Sequence, residues 1–274
     1  MPELPEVETI RRELEPLICG KTFARPILHQ PSTIEHPLPE EFRSGLEGCT
    51  VRETGRRGKY LFIYLNRGIL VVHLRMTGNL LYIDSSPPPE ERFLRVTLPF
   101  SDGSALLYSD MRRFGRLWLV ADRDELQSVV LKRIGPDILD EVDLESFLEL
   151  LGKRSRTRLK ALLLDQGFAA GMGNIYVDEC LYRCGINPNR QASLLTRAEA
   201  EELYASIRAV LEEGIEFGGT TFRDYRNARG ALGEFQSRLA VYGCEGELCK
   251  CGARIEKTRV AGRGTYYCPR CQAE

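Results

Sequence analysis

The 274-residue sequence predicts an α+β protein: a strand-rich first half, a helical second half and a metal-binding tail. Three observations support this. Between about residues 20 and 130, β-branched and aromatic runs alternate with turn residues. After Gly135-Pro136 the apolar residues recur at helical spacing. Four of the nine cysteines crowd the last 26 residues, an arrangement that suits a metal better than a disulfide scaffold. The expected domains are residues 1–130, a linker over 131–142, a helical domain over 143–235 and a cysteine module over 236–274.

Leu4, Val7, Ile10, Leu14 and Leu17 share one helical face, so residues 3–18 read as an amphipathic helix closed near Gly20. Tyr60–Leu65 and Ile69–Leu74 flank the short turn Asn66-Arg67-Gly68 as a hairpin. Leu94–Phe100 and Ala105–Tyr108 flank Ser101-Asp102-Gly103-Ser104 in the same way, Arg116–Ala121 reads as a further strand, and Pro87-Pro88-Pro89 as a loop tip. The first half is therefore a β-sandwich or barrel with one N-terminal helix. Beyond the linker, Leu144, Phe147, Leu148 and Leu151 share a helix face, and Ser155 can cap a second helix running through Gln166. A third helix begins near Asn174 and stops at Gly185, and Thr196 with Glu199 forms a capping box for a long helix to about Glu213.

Hydrophobic residues make up 43% and charged residues 28%, as in an ordinary globular protein. No 18-residue apolar run suggests a membrane span, and Glu3, Glu6 and Glu8 interrupt any signal-peptide core, so a cytoplasmic address is expected. The net charge of -1 hides a patterned distribution. Five of the eight residues in Lys153–Lys160 are basic, and further clusters fall at Arg56-Arg57-Gly58-Lys59, at Arg112-Arg113-Phe114-Gly115-Arg116 and at Arg223, Arg226 and Arg229. The acids gather elsewhere, which leaves room for a basic face that suits a polyanion.

The start of the chain carries chemistry of its own. Removal of Met1 would leave Pro2 as a free secondary amine beside an acid, Glu3. An α-amino group titrates near ~8, so an appreciable fraction is neutral and nucleophilic at physiological pH. Attack by a secondary amine on an electrophilic carbon gives an iminium, an electron sink that needs no added proton. The same prolines and glutamates also simply suit the first turn of a helix.

Five motifs occur in order along the chain: Pro2-Glu3-Leu4-Pro5-Glu6, Arg57-Gly58-Lys59, Arg112-Arg113-Phe114-Gly115, Gly171-Met172-Gly173-Asn174-Ile175-Tyr176, and Gly262-Arg263-Gly264-Thr265 ahead of Cys268-Pro269-Arg270-Cys271. In these the sequence resembles, over its whole length, the bacterial formamidopyrimidine-DNA glycosylase family. The resemblance implies an N-terminal β-sandwich, a helix–two-turn–helix domain and a β-hairpin zinc finger with one structural Zn2+. It implies a bifunctional glycosylase and AP lyase of base excision repair that acts as a monomer on double-stranded DNA containing oxidised purines or abasic sites, in the bacterial cytoplasm and on the nucleoid when DNA-bound. By the same resemblance Pro2 is the nucleophile toward C1′, Glu3 the acid that assists ring opening and base loss, Lys59 a lysine of the elimination and base-recognition steps, and Arg263 a phosphate-contacting arginine assigned to the second elimination. Met76, Arg112 and Phe114 match the residues that fill the hole left by the extruded nucleotide. Asn174 matches a phosphate grip at a helix N-terminus, Arg154 and Lys160 bear on backbone charge, and Gly218–Tyr225 aligns with a loop that covers the flipped base and is expected to be mobile without DNA.

Two departures stand out. The expected zinc ligands are Cys249, Cys251, Cys268 and Cys271, yet one residue rather than the family's two separates Cys249 from Cys251, which leaves Cys244 as a substitute fourth ligand. Phe93 stands where the family usually has a phosphate-contacting histidine, with Arg95 close enough to compensate. Two further readings remain: an endonuclease VIII-like enzyme acting on oxidised pyrimidines, disfavoured by Leu4 and the Arg-Arg-Phe-Gly motif, and a non-catalytic damaged-DNA binder, disfavoured by the presence of Pro2, Glu3 and Lys59.

Overall fold

The computed structural model describes residues 2–84 and 92–273; Met1 and the Pro87-Pro88-Pro89 loop lie outside them. Two compact units emerge, the chain through Lys132 together with Phe217–Glu234, and Arg133–Glu216 together with Phe235 to the end.

The first unit opens with helix α1, Leu4–Ile18. Glu3 is its N-cap and forms a reciprocal capping box with Glu6, and the apolar stripe Leu4, Val7, Ile10, Leu14 and Ile18 is buried. On its polar side Glu8 is also buried, gripped by Arg11 at 2.9 Å, Arg12 at 2.7 Å and Arg56 at 3.2 Å. Burial pushes the Glu8 carboxyl upward, but these guanidinium groups outweigh it and hold it down at about 2.

Two sheets form the β-sandwich. One holds β1 (Ile27–Leu28), β6 (Gly78–Ile83), β7 (Leu94–Pro99) and β8 (Ala105–Asp110) in the order β1-β7-β8-β6. The other holds β2 (Ile34–His36), β3 (Val51–Arg57), β4 (Tyr60–Leu65), β5 (Ile69–His73) and β9 (Arg116–Val120) in the order β2-β9-β5-β4-β3, with β2 parallel to β9. Leu61, Ile63, Leu70, Val72, Leu80, Val96, Leu98, Leu106 and Tyr108 bury their side chains with the stripe of α1 in one core. A short helix, α2 (Pro39–Leu46), adds Phe42 and Leu46 to it.

Phe217–Glu234, expected within the helical domain, packs as part of the first compact unit. Its fastenings belong to the sandwich unit: Tyr82 N–H donates to the Ala228 carbonyl at 2.8 Å, Arg226 N–H to Asn79 Oδ1 at 3.0 Å, and Ala228 N–H to Glu13 at 2.9 Å.

The second unit contains α3 (Leu144–Lys153), α4 (Leu159–Leu164), α5 (Asn174–Arg183) and α6 (Arg197–Glu216), then the hairpin β10 (Glu256–Val260) and β11 (Arg263–Tyr267). The Thr196–Glu199 capping box forms as expected, with Thr196 N–H donating to Glu199 at 2.7 Å and Glu199 N–H to Thr196 Oγ1 at 3.2 Å. Ser155 caps nothing: α4 starts at Leu159 behind Arg158, and the Thr157 and Ser155 carbonyls instead accept from Ala192 and Ser193. No described helix is long and apolar enough to cross a membrane.

Candidate functional site

In the first unit Pro2, Glu3 and Lys59 are all buried. Glu3 N–H donates to Glu6 Oε2 at 2.6 Å, while Glu6 Oε1 accepts Thr220 N–H at 2.7 Å. One carboxylate thus ties the residue after Pro2 to the segment expected to cover a flipped base. Gly219, with φ of +84°, approaches so closely that a Cβ there would lie 2.8 Å from Glu6 Cγ. Tyr225 adds a second fastening through its hydroxyl, which donates to the Gly218 carbonyl at 3.1 Å. Between these points Phe222, Arg223 and Asp224 are exposed.

Lys59 follows Gly58, whose φ of +57° makes the turn between β3 and β4. Beside it lies His73, which the sequence reading passed over. Burial, then the Arg75 and Lys59 cations, push the imidazole down to about 3. Its Nδ1 accepts Arg75 N–H at 3.0 Å, so the neutral ring carries its proton on Nε2 and presents a donor there.

Met76, Arg112 and Phe114 stand on two loops, one between β5 and β6 and the other between β8 and β9, and all three are exposed. Arg112 lies over the Phe114 ring, 4.7 Å from its centroid. Behind them the Asp110 carboxylate accepts from the Thr77 hydroxyl at 2.5 Å, Arg112 N–H at 3.1 Å and Gly115 N–H at 2.8 Å. Arg95 turns its Nε to the Asp110 carbonyl at 2.9 Å and lies 5.9 Å from the Phe93 ring. Phe93 itself lines an open cleft with Arg92, Met111, Arg223 and Arg226, so the position that lacks a histidine is surrounded by guanidinium groups.

In the second unit Lys160, expected to bear on DNA charge, has a fully buried side chain 2.6 Å from Asp178 and donates to the Gly264 carbonyl at 3.0 Å. Asp178 also accepts Tyr266 N–H at 3.0 Å; burial drives its carboxyl upward against the pull of Lys160. Asn174, at the start of α5, donates to the same Gly264 carbonyl at 2.9 Å. These contacts fix the hairpin whose turn, Ala261-Gly262, has φ of +50° and +76°, and whose next residue, the exposed Arg263, pairs with Val260. Arg154, Arg156 and Arg158 are exposed.

Cys249, Cys251, Cys268 and Cys271 bring their sulfurs within 4.8 Å of one another, with Cys249–Cys271 at 3.7 Å and Cys251–Cys268 at 3.5 Å. A zinc tetrahedron with Zn–S near 2.3 Å has edges of about 3.8 Å, so the four thiolates fit Zn2+ despite the shortened first knuckle. Cys244 is outside this group and directs its thiol to the Tyr242 carbonyl at 3.8 Å. Tyr182 of α5 reaches Cys249 Sγ at 3.2 Å; a metal-bound thiolate can only accept, so the phenol donates. Glu179, one residue from Asp178, gathers the N–H groups of Ala240, Val241 and Tyr242 at 2.8–3.0 Å and so holds the chain as it enters the finger.

Comparison with known proteins fits this arrangement. Residues 1–117 match the formamidopyrimidine-DNA glycosylase N-terminal domain, 134–226 its H2TH domain, and 247–273 the zinc finger found in FPG and IleRS. The formamidopyrimidine-DNA glycosylase of Geobacillus kaustophilus is 47% identical over 99% of this chain and 100% of its own, and that of Pelotomaculum thermopropionicum 46% identical over 99% of each. The chain belongs to the formamidopyrimidine-DNA glycosylase family. Among solved structures, Lactococcus lactis Fpg bound to DNA containing an abasic site is similar with a TM-score of 0.91 at 38% identity, and MutM with DNA containing carbocyclic 8-oxo-G with 0.90 at 38%, each covering 100% of both chains.

As in the family's three-part organisation, the finger carries one structural zinc, held here by the four clustered cysteines. The residues that sequence reading missed, Glu6, His73, Asp110, Asp178 and Tyr182, are supports placed behind the expected ones. Glu6 had a usable signal, since its spacing of three from Glu3 is that of a capping box. Asp178 falls four residues after Asn174 and so on the same helical face.

Proposed function

We infer that this family member is a bifunctional DNA glycosylase and AP lyase of base excision repair that removes oxidised purines and cuts the strand. The observation that carries the residue roles is the burial of Pro2 and Glu3 at the N-terminus of α1. A protonated amine there would be desolvated and would face the positive end of the helix; both effects favour the neutral nucleophile once Met1 is gone. The Pro2 nitrogen attacks C1′ of an extruded nucleotide and gives up its own proton as the N-glycosidic bond breaks and the base departs; Glu3 supplies a proton to the leaving base or to O4′ as the C1′–O4′ bond opens, which leaves the ring-opened sugar joined to Pro2 as an iminium. The resulting iminium acidifies C2′–H. Loss of that proton breaks the C3′–O bond and releases the 3′ phosphate, and a second elimination releases the 5′ phosphate. Lys59 and Arg263 supply fixed cations to phosphate, and the neutral His73 a nearby donor. Met76, Arg112 and Phe114 fill the vacated stack, Asn174 and Arg154 grip the backbone, and Arg95 serves beside Phe93. The zinc supplies no chemistry; it folds the finger that displays Arg263. The enzyme acts as a monomer in the bacterial cytoplasm and on the nucleoid when DNA-bound, a reading supported by its bacterial relatives.

A panel of duplexes with 8-oxoguanine opposite cytosine and thymine glycol opposite adenine tests the substrate. Faster cutting of the purine lesion is expected, and preference for thymine glycol would transfer the enzyme to the endonuclease VIII-like branch.

A further inference from the structure

We propose that Asp110 is the positioning residue that locks the two wedge loops into one preformed unit. The inference rests on the wedge reading of Met76, Arg112 and Phe114.

Asp110 ends β8 and is 1% exposed. Its carboxylate takes one donor from the Met76 loop, the Thr77 hydroxyl, and two from the Arg112–Phe114 loop, Arg112 N–H and Gly115 N–H. Thr77 Oγ1 also accepts Arg112 N–H at 3.0 Å, which closes a ring of hydrogen bonds between the loops. A charge in so dry a place is costly unless its oxygens are fully served, and here the servers are the residues flanking the wedge.

Backbone geometry points the same way. Arg75 (φ 55°), immediately before Met76, and Arg113 (φ 60°), immediately before Phe114, both occupy the left-handed region. Such a conformation is unfavourable for a residue with a Cβ and persists where neighbours over-determine it. Steric packing completes the lock. A Cβ at Gly115 would fall 1.6 Å from the Tyr108 hydroxyl, and one at Gly78 would fall 2.7 Å from it, so both loops close onto the same phenol. A wedge fixed in this way loses little further freedom on entering the duplex.

The test compares two substrates: duplex 8-oxoguanine opposite cytosine, which must be extruded, and an abasic site in a single strand, which need not be. Asp110→Asn keeps the shape but turns an amide toward donors that need an acceptor. It is expected to slow duplex excision roughly tenfold while leaving single-strand cutting within about twofold. Thr77→Val, a gentler change that guards against misfolding, is expected to give the same split at about threefold. Combined with Phe114→Ala, Asp110→Asn should add nothing further on the duplex, since the two act through one unit. Equal losses on both substrates, or additive losses in the double variant, would overturn the proposal. If Phe114→Ala alone leaves duplex excision intact, the wedge reading fails and this inference falls with it.

Discussion

In the first unit the exposed residues proposed as the wedge stand on loops whose N–H groups converge on a buried anion, Asp110, whereas in the second the exposed Arg263 stands on a hairpin whose next residue, Gly264, has its carbonyl gripped by a buried cation, Lys160. Both place a full charge inside so that a side chain can be held outside. They differ in how the charge is answered. Hydroxyl and backbone dipoles from the displayed loops serve Asp110; Lys160 has a counterion, Asp178, which itself holds Tyr266 N–H. The second unit also depends on four thiolates for its metal. The sandwich therefore carries its own scaffold, while the finger borrows one from an ion pair and a zinc ion.

The largest effect that would sharpen this contrast is metal removal. Structural zinc in such fingers is worth about 10–16 kcal/mol of folding energy, so chelation should abolish tight duplex binding yet leave the melting of the sandwich in place. A sandwich that melts with the finger would break the distinction. Next, Glu3→Gln should slow base loss by about 10²–10⁴-fold with abasic-duplex affinity little changed, as measured by single-turnover kinetics beside a binding titration. Lys160→Met leaves Asp178 buried without its counterion and should cost about 3–5 kcal/mol, while Lys160→Met with Asp178→Leu should recover most of that stability in denaturant melts.

The smallest effect is acid sensitivity. His73, pushed down to about 3 from 6.5, takes up a proton only on unfolding, so stability falls as pH drops below 6.5. Glu8, held at about 2 rather than 4.5, adds its own loss only below 4.5. Between 6.5 and 4.5 His73 should therefore contribute about 2–3 kcal/mol, and His73→Gln should flatten that window in pH-dependent melts. In the second unit Asp178, raised by burial, works in the opposite sense and is relieved by acid.

Much of the frame was legible because it is local. The stripe of α1, the hairpin around Asn66-Arg67-Gly68 and the Thr196 capping box depend on neighbours within a few residues. β3 escaped because its sequence, Val-Arg-Glu-Thr-Gly-Arg-Arg, carries a single buried hydrophobic residue, Val51, and so shows no apolar alternation. The attachment of Phe217–Glu234 to the sandwich depends on Glu6, Glu13 and Asn79, more than a hundred residues away, and no periodicity signals that. Lys160 sits in a basic run that reads as a solvated face, and only its distant partner Asp178 explains its burial. The crowding of cysteines pointed to Cys249, Cys251, Cys268 and Cys271, and the sulfur positions bring these four together while the substitute, Cys244, lies outside the group.

The proposed chemistry turns on a secondary amine forming a covalent bond to a sugar carbon. Borohydride reduction of the mature protein on a duplex containing 8-oxoguanine, followed by mass mapping of the adduct, tests that directly. The predicted result is one cross-linked peptide beginning at Pro2, with Met1 absent. An adduct on Lys59, or efficient strand cutting by protein that retains Met1, would contradict it.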